Sequence, residues 1–252
     1  YNGHQANVTF SVDTSSMNIV DKFTGVWNTS NGYVSHSFNQ FIQVDNGTLL
    51  GVDHGEGYPT ALVLSKYVSD ISSGNFQSGI ATPCKSLTFM SLVNDTSIHY
   101  NYTGASLGAF EYSDSAYLIA GTKDTDSTAT TRDVFITSMD KSSGETFTHF
   151  YSNYAGTDDS ALTPHLVKTG NNSFILLWSN QGYVYYTAVD GTGQQVGTTH
   201  KMAGNLSDCA PIVSNGKAIW YTWKNQFNTF YEISLNDLSS NHAARIENGH
   251  KY

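Results

Sequence analysis

The chain has 252 residues, of which only 12 are Lys or Arg and 21 are Asp or Glu, so the charged fraction is 13% where roughly 25% is usual. The net charge is −9 and the basic residues stand singly, which excludes nucleic acids and anionic membranes as main partners. No apolar run approaches the ~18 residues of a spanning helix, so the sequence predicts no membrane span.

Uncharged polar residues take the place of charges, with 30 Ser, 27 Thr, 21 Asn, 22 Gly and 16 Tyr. The 33 aromatic residues exclude a disordered chain, because such a chain lacks large apolar side chains. The helix formers Ala, Leu, Glu and Lys are sparse, whereas Thr, Tyr, Phe and Val suit a pleated sheet. The composition therefore predicts an all-β fold.

Two types of hairpin alternate along the chain. The first type begins at 8–25 and places an acidic residue and a small polar turn between an apolar strand and a more polar one. Its copies are Phe10–Ser16, Leu62–Gly74, Ile136–Gly144, Tyr186–Gly193 and Tyr231–Ser240. The second type joins two apolar strands through a tight turn, and its copies are Phe41–Val52, Gly108–Ala120, His165–Trp178 and Pro211–Tyr221.

Asn-Gly lies at the turn of two second-type hairpins, at Asn46-Gly47 and Asn215-Gly216. This pair strongly indicates a type I′ turn, because both central residues need positive φ. The second-type turns recur about every 56 residues, which is typical of a β-propeller blade with loop insertions. An ordinary β-sandwich is the alternative, but it does not require the two hairpin types to alternate in phase.

The repeats predict one propeller domain of about five four-stranded antiparallel blades, with an incomplete first blade. The blade-like repeats are about 1–30, 31–82, 106–155, 162–204 and 208–252, with an insertion at 83–105. Leu87–Val93 is expected to form an extra strand inside that insertion, and 243–252 could supply the last outer strand. Either the ring has a gap, or upstream sequence or a neighbouring subunit supplies the missing strands.

Two segments carry a family resemblance, His36–Phe41 and Val52–Pro59. They resemble a signature of uncharacterised extracellular β-propeller repeats. The resemblance implies the fold and no particular activity.

Several polar groups are candidates for a site. The candidate axial or ligand-binding residues, where inner strands and loops of a propeller converge, are His36, Asp53, His54, Glu56, Glu111, His165 and Asp208. A glycosidase needs two carboxylates that face each other, whereas these acids lie singly on separate blades. The segment 53–59 is also read as a Gly- and Pro-rich loop whose polar groups satisfy backbone donors. We therefore predict no catalytic residues.

The cofactor prediction is none, with calcium as a weak alternative. Asp124, Asp126 and Asp133 resemble a loop of hard oxygen ligands, but they lack the twelve-residue pattern with its closing Glu. A solvated connection between strands explains them equally simply, and we predict no metal site.

Seven Asn-X-Ser/Thr sequons predict N-glycosylation, at Asn7, Asn28, Asn46, Asn94, Asn101, Asn171 and Asn205. Their number barely exceeds the chance expectation, so position matters more: Asn46 and Asn171 occupy the same turn of two blades.

Cys84 and Cys209 could form one disulfide or be two unrelated thiols. Loop aromatics could bind sugar rings or pack, namely Trp27, Tyr33, Tyr58, Tyr100, Tyr102, Tyr183, Trp223 and Phe227. Trp178 and Trp220 are predicted core residues.

These features predict a non-enzymatic extracellular glycoprotein that acts as a structural or adhesive module and self-associates, with glycans as further partners. A head-to-tail contact that does not close would give a filament. The alternative is a glycan-binding lectin or glycosidase-like propeller with a site on the axis.

Overall fold

The computed structural model describes residues 8–24, 41–55, 60–67, 85–93, 105–124, 131–154, 157, 159–224 and 227–247. Every regular element in these residues is a β-strand, as the composition predicts. The chain divides into two compact units, 1–110 and 111–252, and the single domain expected from the sequence stays a prediction.

The first unit holds a two-stranded and a four-stranded antiparallel sheet. The two-stranded sheet is formed by β1 (Val8–Val12) and β2 (Ile19–Thr24). The four-stranded sheet is formed, in chain order, by β3 (Phe41–Asp45), β4 (Thr48–Gly55), β5 (Thr60–Tyr67) and β6 (Lys85–Val93). β6 lies within 83–105, which the sequence analysis assigns to an insertion outside the four-stranded blades, and this assignment is wrong for β6. It pairs along β5 and is the fourth strand of this sheet, not an extra strand.

β7 (Ala105–Tyr112) spans the boundary of the two units and pairs with β8 in a sheet completed by β9 and β10. The remaining strands of that sheet are β8 (Ala116–Asp124), β9 (Arg132–Asp140) and β10 (Thr146–Phe150). The next sheet contains β11 (Leu162–Gly170), β12 (Ser173–Asn180), β13 (Tyr183–Asp190) and β14 (Gln195–Ala203). The last contains β15 (Ile212–Ser214), β16 (Lys217–Lys224), β17 (Phe227–Ser234) and β18 (Asn241–Glu247).

All four large sheets are antiparallel meanders whose strands follow chain order, which is the architecture of propeller blades. The predicted β-propeller fold class, with four-stranded antiparallel blades, is therefore confirmed. Three of these sheets are the β7–β10, β11–β14 and β15–β18 blades.

The tight turns follow the local chemistry of their residues. Asn46 and Gly47 have φ of 47° and 77°, and Asn215 and Gly216 have φ of 50° and 71°, so both predicted type I′ turns are present. Gln181 and Gly182 form a third turn of this kind between β12 and β13, which the sequence analysis does not predict.

An aspartate nucleates the turn between the third and fourth strands of a blade. The Oδ1 atom of Asp140 accepts hydrogen bonds from Ser142 N at 2.9 Å, Ser142 Oγ at 2.6 Å and Ser143 N at 2.7 Å. Hydrogen bonds from Ser142 and Ser143 lower the pKa of this carboxyl to about 2. Asp13 makes the same three bonds between β1 and β2. The two-stranded sheet therefore corresponds to the outer hairpin of a blade.

Burial is greatest in the middle strands of a blade rather than in its first strand. β12 is buried at every position except Ser173, so both of its faces are covered. β14, at the edge, is largely exposed, and so is β15. β9 is also buried at every position except its two ends, so both of its faces are covered although it belongs to the more polar hairpin type.

A hydrophobic cluster joins the β11–β14 and β15–β18 blades. Trp220 and Tyr231 stack with their ring centroids 5.1 Å apart, and Ile175, Leu177 and Tyr186 pack in the same cluster. Buried stacked aromatics of this kind dominate core energetics because they remove large areas from water. Trp178 and Trp220 are 2% and 4% exposed, which confirms the prediction that they are core residues.

Gly193 provides a test of how tightly the β7–β10 and β11–β14 blades pack. Its φ is +84°, and a Cβ there would lie 3.1 Å from Ile136 Cγ2 of the neighbouring blade. We expect Gly193→Ala to lower the free energy of unfolding by about 2–4 kcal/mol, because backbone strain and overpacking add.

Gly197→Ala is the matched control, because Gly197 has φ +77° and nothing within 4 Å of the added Cβ. It should cost only about 1 kcal/mol from backbone strain. Urea denaturation followed by circular dichroism measures both variants, and equal losses would contradict the predicted packing.

Candidate functional site

The loop 204–210 connects the β11–β14 and β15–β18 blades and forms one wall of a cleft. Its start is fixed by the backbone hydrogen bond from Gly204 N to Gly182 O, at 2.9 Å. Leu206 is buried in the cluster between the blades, and its N–H donates to Ser179 Oγ at 3.0 Å. The apolar side chain thus anchors the loop while a side-chain oxygen satisfies its buried donor.

Two further side chains hold carbonyl groups of the same loop. Trp220 Nε1 donates to the carbonyl oxygen of Asn205 at 2.9 Å. His165 Nε2 lies 2.8 Å from the carbonyl oxygen of Ser207. A carbonyl can only accept, so Nε2 carries the proton. The loop is therefore fixed by donors from both blades that it connects.

The cleft has a volume of about 540 Å³, within the range of small-ligand pockets. All of its lining residues belong to the second unit. They are Asn205, Leu206, Ser207, Asp208, Thr222, Trp223, Phe227, Thr229, Tyr231 and Arg245. The lining thus combines aromatic rings with amide, hydroxyl, carboxylate and guanidinium groups.

Aromatic residues and one cation also line the cleft, namely Trp223, Phe227, Tyr231 and Arg245. Trp223 is 67% exposed, which is unusual for a residue of its size. The guanidinium carbon of Arg245 lies 3.4 Å from the centroid of the Phe227 ring. This cation–π contact holds the guanidinium of Arg245 against the Phe227 ring.

Trp223 and Phe227 are predicted loop aromatics, and both line the cleft. Tyr183 is a third predicted loop aromatic, and it is exposed. The Nζ atom of Lys201 lies over its ring, 5.0 Å from the centroid. The other predicted loop aromatics, Trp27, Tyr33, Tyr58, Tyr100 and Tyr102, lie outside the described residues.

The structure places two predicted site residues at this loop. Asp208 is exposed and lines the cleft. His165 is 4% exposed and lies behind the loop, and its Nδ1 has no hydrogen-bond partner among the described residues. Burial lowers the pKa of His165, although the Ser207 carbonyl and the charge of Asp208 oppose this shift. The imidazole is therefore neutral at pH 7 and supports the loop.

The remaining predicted site residues are not part of this cleft. Asp53 and His54 lie on β4 in the first unit, with side chains outside the described set, and His36 and Glu56 are outside the described residues altogether. Glu111 lies at the end of β7. Burial raises its pKa to about 7, and the nearby Lys168 ammonium only partly opposes this.

Three predicted sequons fall on described residues, and all three asparagines are exposed. Asn46 and Asn171 lie in the turns between the first and second strands of their blades, and Asn205 lines the cleft. Asn7, Asn28, Asn94 and Asn101 lie outside the described residues. Cys209 is exposed and forms no disulfide with another described residue, and Cys84 lies outside the described residues, so the disulfide stays a prediction.

The candidate calcium ligands have protein partners. Asp124 Oδ1 pairs with Arg132 Nε at 3.0 Å. Asp133 Oδ1 accepts hydrogen bonds from Ser152 Oγ and Tyr154 N, both at 2.7 Å. Asp126 lies outside the described residues, and no group of three metal-ligating side chains occurs within the described part of the chain.

No sequence pattern marks Thr222, Thr229 or Arg245 as residues of a cleft. These residues lie on regular strands, where a polar side chain every second residue indicates only an exposed face. A better signal is the polar segment from Asn205 to Cys209 between two predicted blades, because connecting loops often carry binding groups.

The chain matches no protein-family model and no curated protein sequence. Its structure is similar to the crystal structure of TolB from Acinetobacter baumannii, with a TM-score of 0.45 and 14% sequence identity. The similarity covers 93% of this chain and 49% of the TolB chain, so the chain spans about half the length of that structure. No helix of membrane-spanning length and apolarity occurs among the described residues.

Glu111 gives a pH-dependent prediction. Its pKa is about 7 in the folded protein against an ordinary 4.5, so folding favours the protonated carboxyl. The stability that the folded protein gains from the protonated Glu111 carboxyl is fully present below pH 4.5. It is lost as the pH rises through 7. We expect Glu111→Gln to raise the free energy of unfolding by about 1–2 kcal/mol at pH 8.5, allowing for solvent screening, and to have little effect at pH 4.5.

Glu145→Gln on the exposed β9–β10 turn is the control for removing one negative charge. Chemical denaturation at several pH values measures the difference between each variant and the wild type. A difference for Glu111→Gln that does not change with pH would contradict the burial effect.

Proposed function

We propose that this protein is a non-catalytic β-propeller module that binds glycans in the cleft beside the loop 204–210, as part of an extracellular adhesive glycoprotein. The observation that carries the proposal is Trp223, a residue that lines the polar cleft and whose side chain is 67% exposed. A tryptophan exposed to this degree is expected where a partner with an amphipathic surface covers it.

The chemistry of the lining suits a sugar. A pyranose ring presents C–H groups on its face, which stack on Trp223 or Phe227, and hydroxyl groups around its edge. Asp208 and the cleft threonines accept or donate hydrogen bonds to hydroxyl groups, and Arg245 supplies further donors. Few charges are needed for such recognition, which agrees with a chain that is only 13% charged.

The same lining argues against glycoside hydrolysis. That reaction ordinarily uses two carboxylates separated by roughly 5–10 Å. Among the described residues that line this cleft, Asp208 is the only one with a carboxylate. We therefore assign it to hydrogen bonding with ligand hydroxyl groups.

Self-association is a second proposed function, favoured by an apolar face of the β15–β18 blade. Tyr221 pairs directly with Phe230 across β16 and β17, and their side chains are 52% and 41% exposed. Ile212 and Ile246 are also exposed on this blade. An apolar face of this kind fits a protein partner, and an adhesive assembly of copies would bury it. Analytical ultracentrifugation over a concentration series tests it, and a monomer at all concentrations would contradict it.

A glycan array probed with protein made without glycosylation tests the binding proposal. We expect Trp223→Ala to weaken binding to any recognised glycan at least tenfold, because one sugar–aromatic stack contributes on the order of 1–3 kcal/mol. Asp208→Asn should weaken binding less, since the amide retains hydrogen-bonding capacity.

Tyr183→Ala is the control, because it removes an exposed aromatic ring outside the cleft lining. The affinity of Tyr183→Ala for each recognised glycan should equal that of the wild type. Absence of binding to every glycan, or equal losses in Trp223→Ala and Tyr183→Ala, would refute the cleft as a glycan site.

A further inference from the structure

We infer that Asn205 carries an N-linked glycan that folds back into the cleft and competes with external ligands. This inference deepens the proposed function and rests on it. Asn205-Leu206-Ser207 is a sequon, and all three of its residues line the cleft. Asn205 itself is exposed, so its side-chain nitrogen is open to modification.

The position of Asn205 is held by its backbone. Trp220 fixes the Asn205 carbonyl, and Ser179 fixes the N–H of the next residue, Leu206, whose side chain is buried. A sugar attached to Asn205 therefore starts at the cleft, which Trp223 also lines. Asn171, by contrast, is exposed on the β11–β12 turn and is not a lining residue.

The modification requires a lipid-linked oligosaccharide diphosphate as donor. The side-chain amide nitrogen of Asn205 forms a bond to the anomeric carbon of the first sugar. The bond from that carbon to the diphosphate oxygen breaks, the lipid diphosphate leaves, and the amide loses one proton. No oxidant or reductant is consumed.

Attachment makes even weak binding effective. A group joined by a short flexible linker experiences an effective concentration in the millimolar range, so a sugar with millimolar affinity for the cleft occupies it much of the time. If the attached glycan occupies the cleft nine-tenths of the time, the apparent affinity for an external ligand falls about tenfold. The glycan would thus make the cleft available only in unmodified or trimmed protein.

Secreted protein from a glycosylating eukaryotic host tests this inference, with Asn205→Gln, Ser207→Ala and the control Asn171→Gln made in the same host. Intact mass should show that the first two variants lose a glycan. The free core oligosaccharide of an N-glycan is the binding probe. We expect it to bind both sequon variants about tenfold more tightly than the wild type or Asn171→Gln.

Acrylamide quenching provides a readout that needs no external ligand. The contribution of Trp223 is the difference between each protein and its Trp223→Phe counterpart. It should be about twofold less quenched in the glycosylated wild type than in Asn205→Gln or Ser207→Ala, because the attached glycan covers the ring.

An unmodified Asn205 in the secreted protein, or equal quenching of Trp223 with and without its glycan, would overturn the inference. Failure of the proposed function is a separate result. In that case protein made without glycosylation binds no sugar on the array, whereas the mass and quenching measurements still decide what the Asn205 glycan does.

Discussion

Burial of both faces of the middle strands is the constraint on which the second unit depends. β12 is covered on both sides, so the β11–β14 blade must have a neighbour on each face. On the side of the β15–β18 blade this burial brings Trp220 and Tyr231 into the cluster that contains Ile175 and Leu177. Side chains from these packed blades then become fixed donors and acceptors, which a solvent-exposed strand could not provide.

Contacts with these packed blades fix the loop 204–210. Ser179, Trp220 and His165 each bond a backbone group of the loop, and Leu206 enters the core. A cleft formed by such a loop loses little conformational entropy when a ligand binds, which favours recognition of weakly interacting molecules such as sugars. Exposed Trp223 and the Arg245 guanidinium over Phe227 complete a preformed surface.

The local surroundings of each ionisable group determine the direction of its pKa shift. Glu111 is partly buried near Lys168, and burial dominates, so its pKa rises. Burial also dominates at His165 and keeps the imidazole neutral. The turn aspartates show the opposite behaviour, since Asp140 is surrounded by hydrogen-bond donors in water and its pKa falls. The direction of each shift follows from solvation and donors rather than from residue type.

The amino-acid sequence by itself determined the all-β class, the four-stranded blades, the type I′ turns at Asn46 and Asn215 and the aspartate turns. These features depend on positive φ, on strand periodicity and on hydrogen bonds within a few residues. Asp208, Trp223 and Phe227 were also recognisable as candidates for a site.

Only the tertiary structure decided that β6 completes a blade and that Arg245 joins Asn205 and Trp223 at one cleft. The pairing of β6 with β5 bridges a long connection, and Arg245 reaches the cleft through the register of β18 on β17. Both depend on contacts between residues far apart in the chain, and local residue patterns carry no information about such contacts.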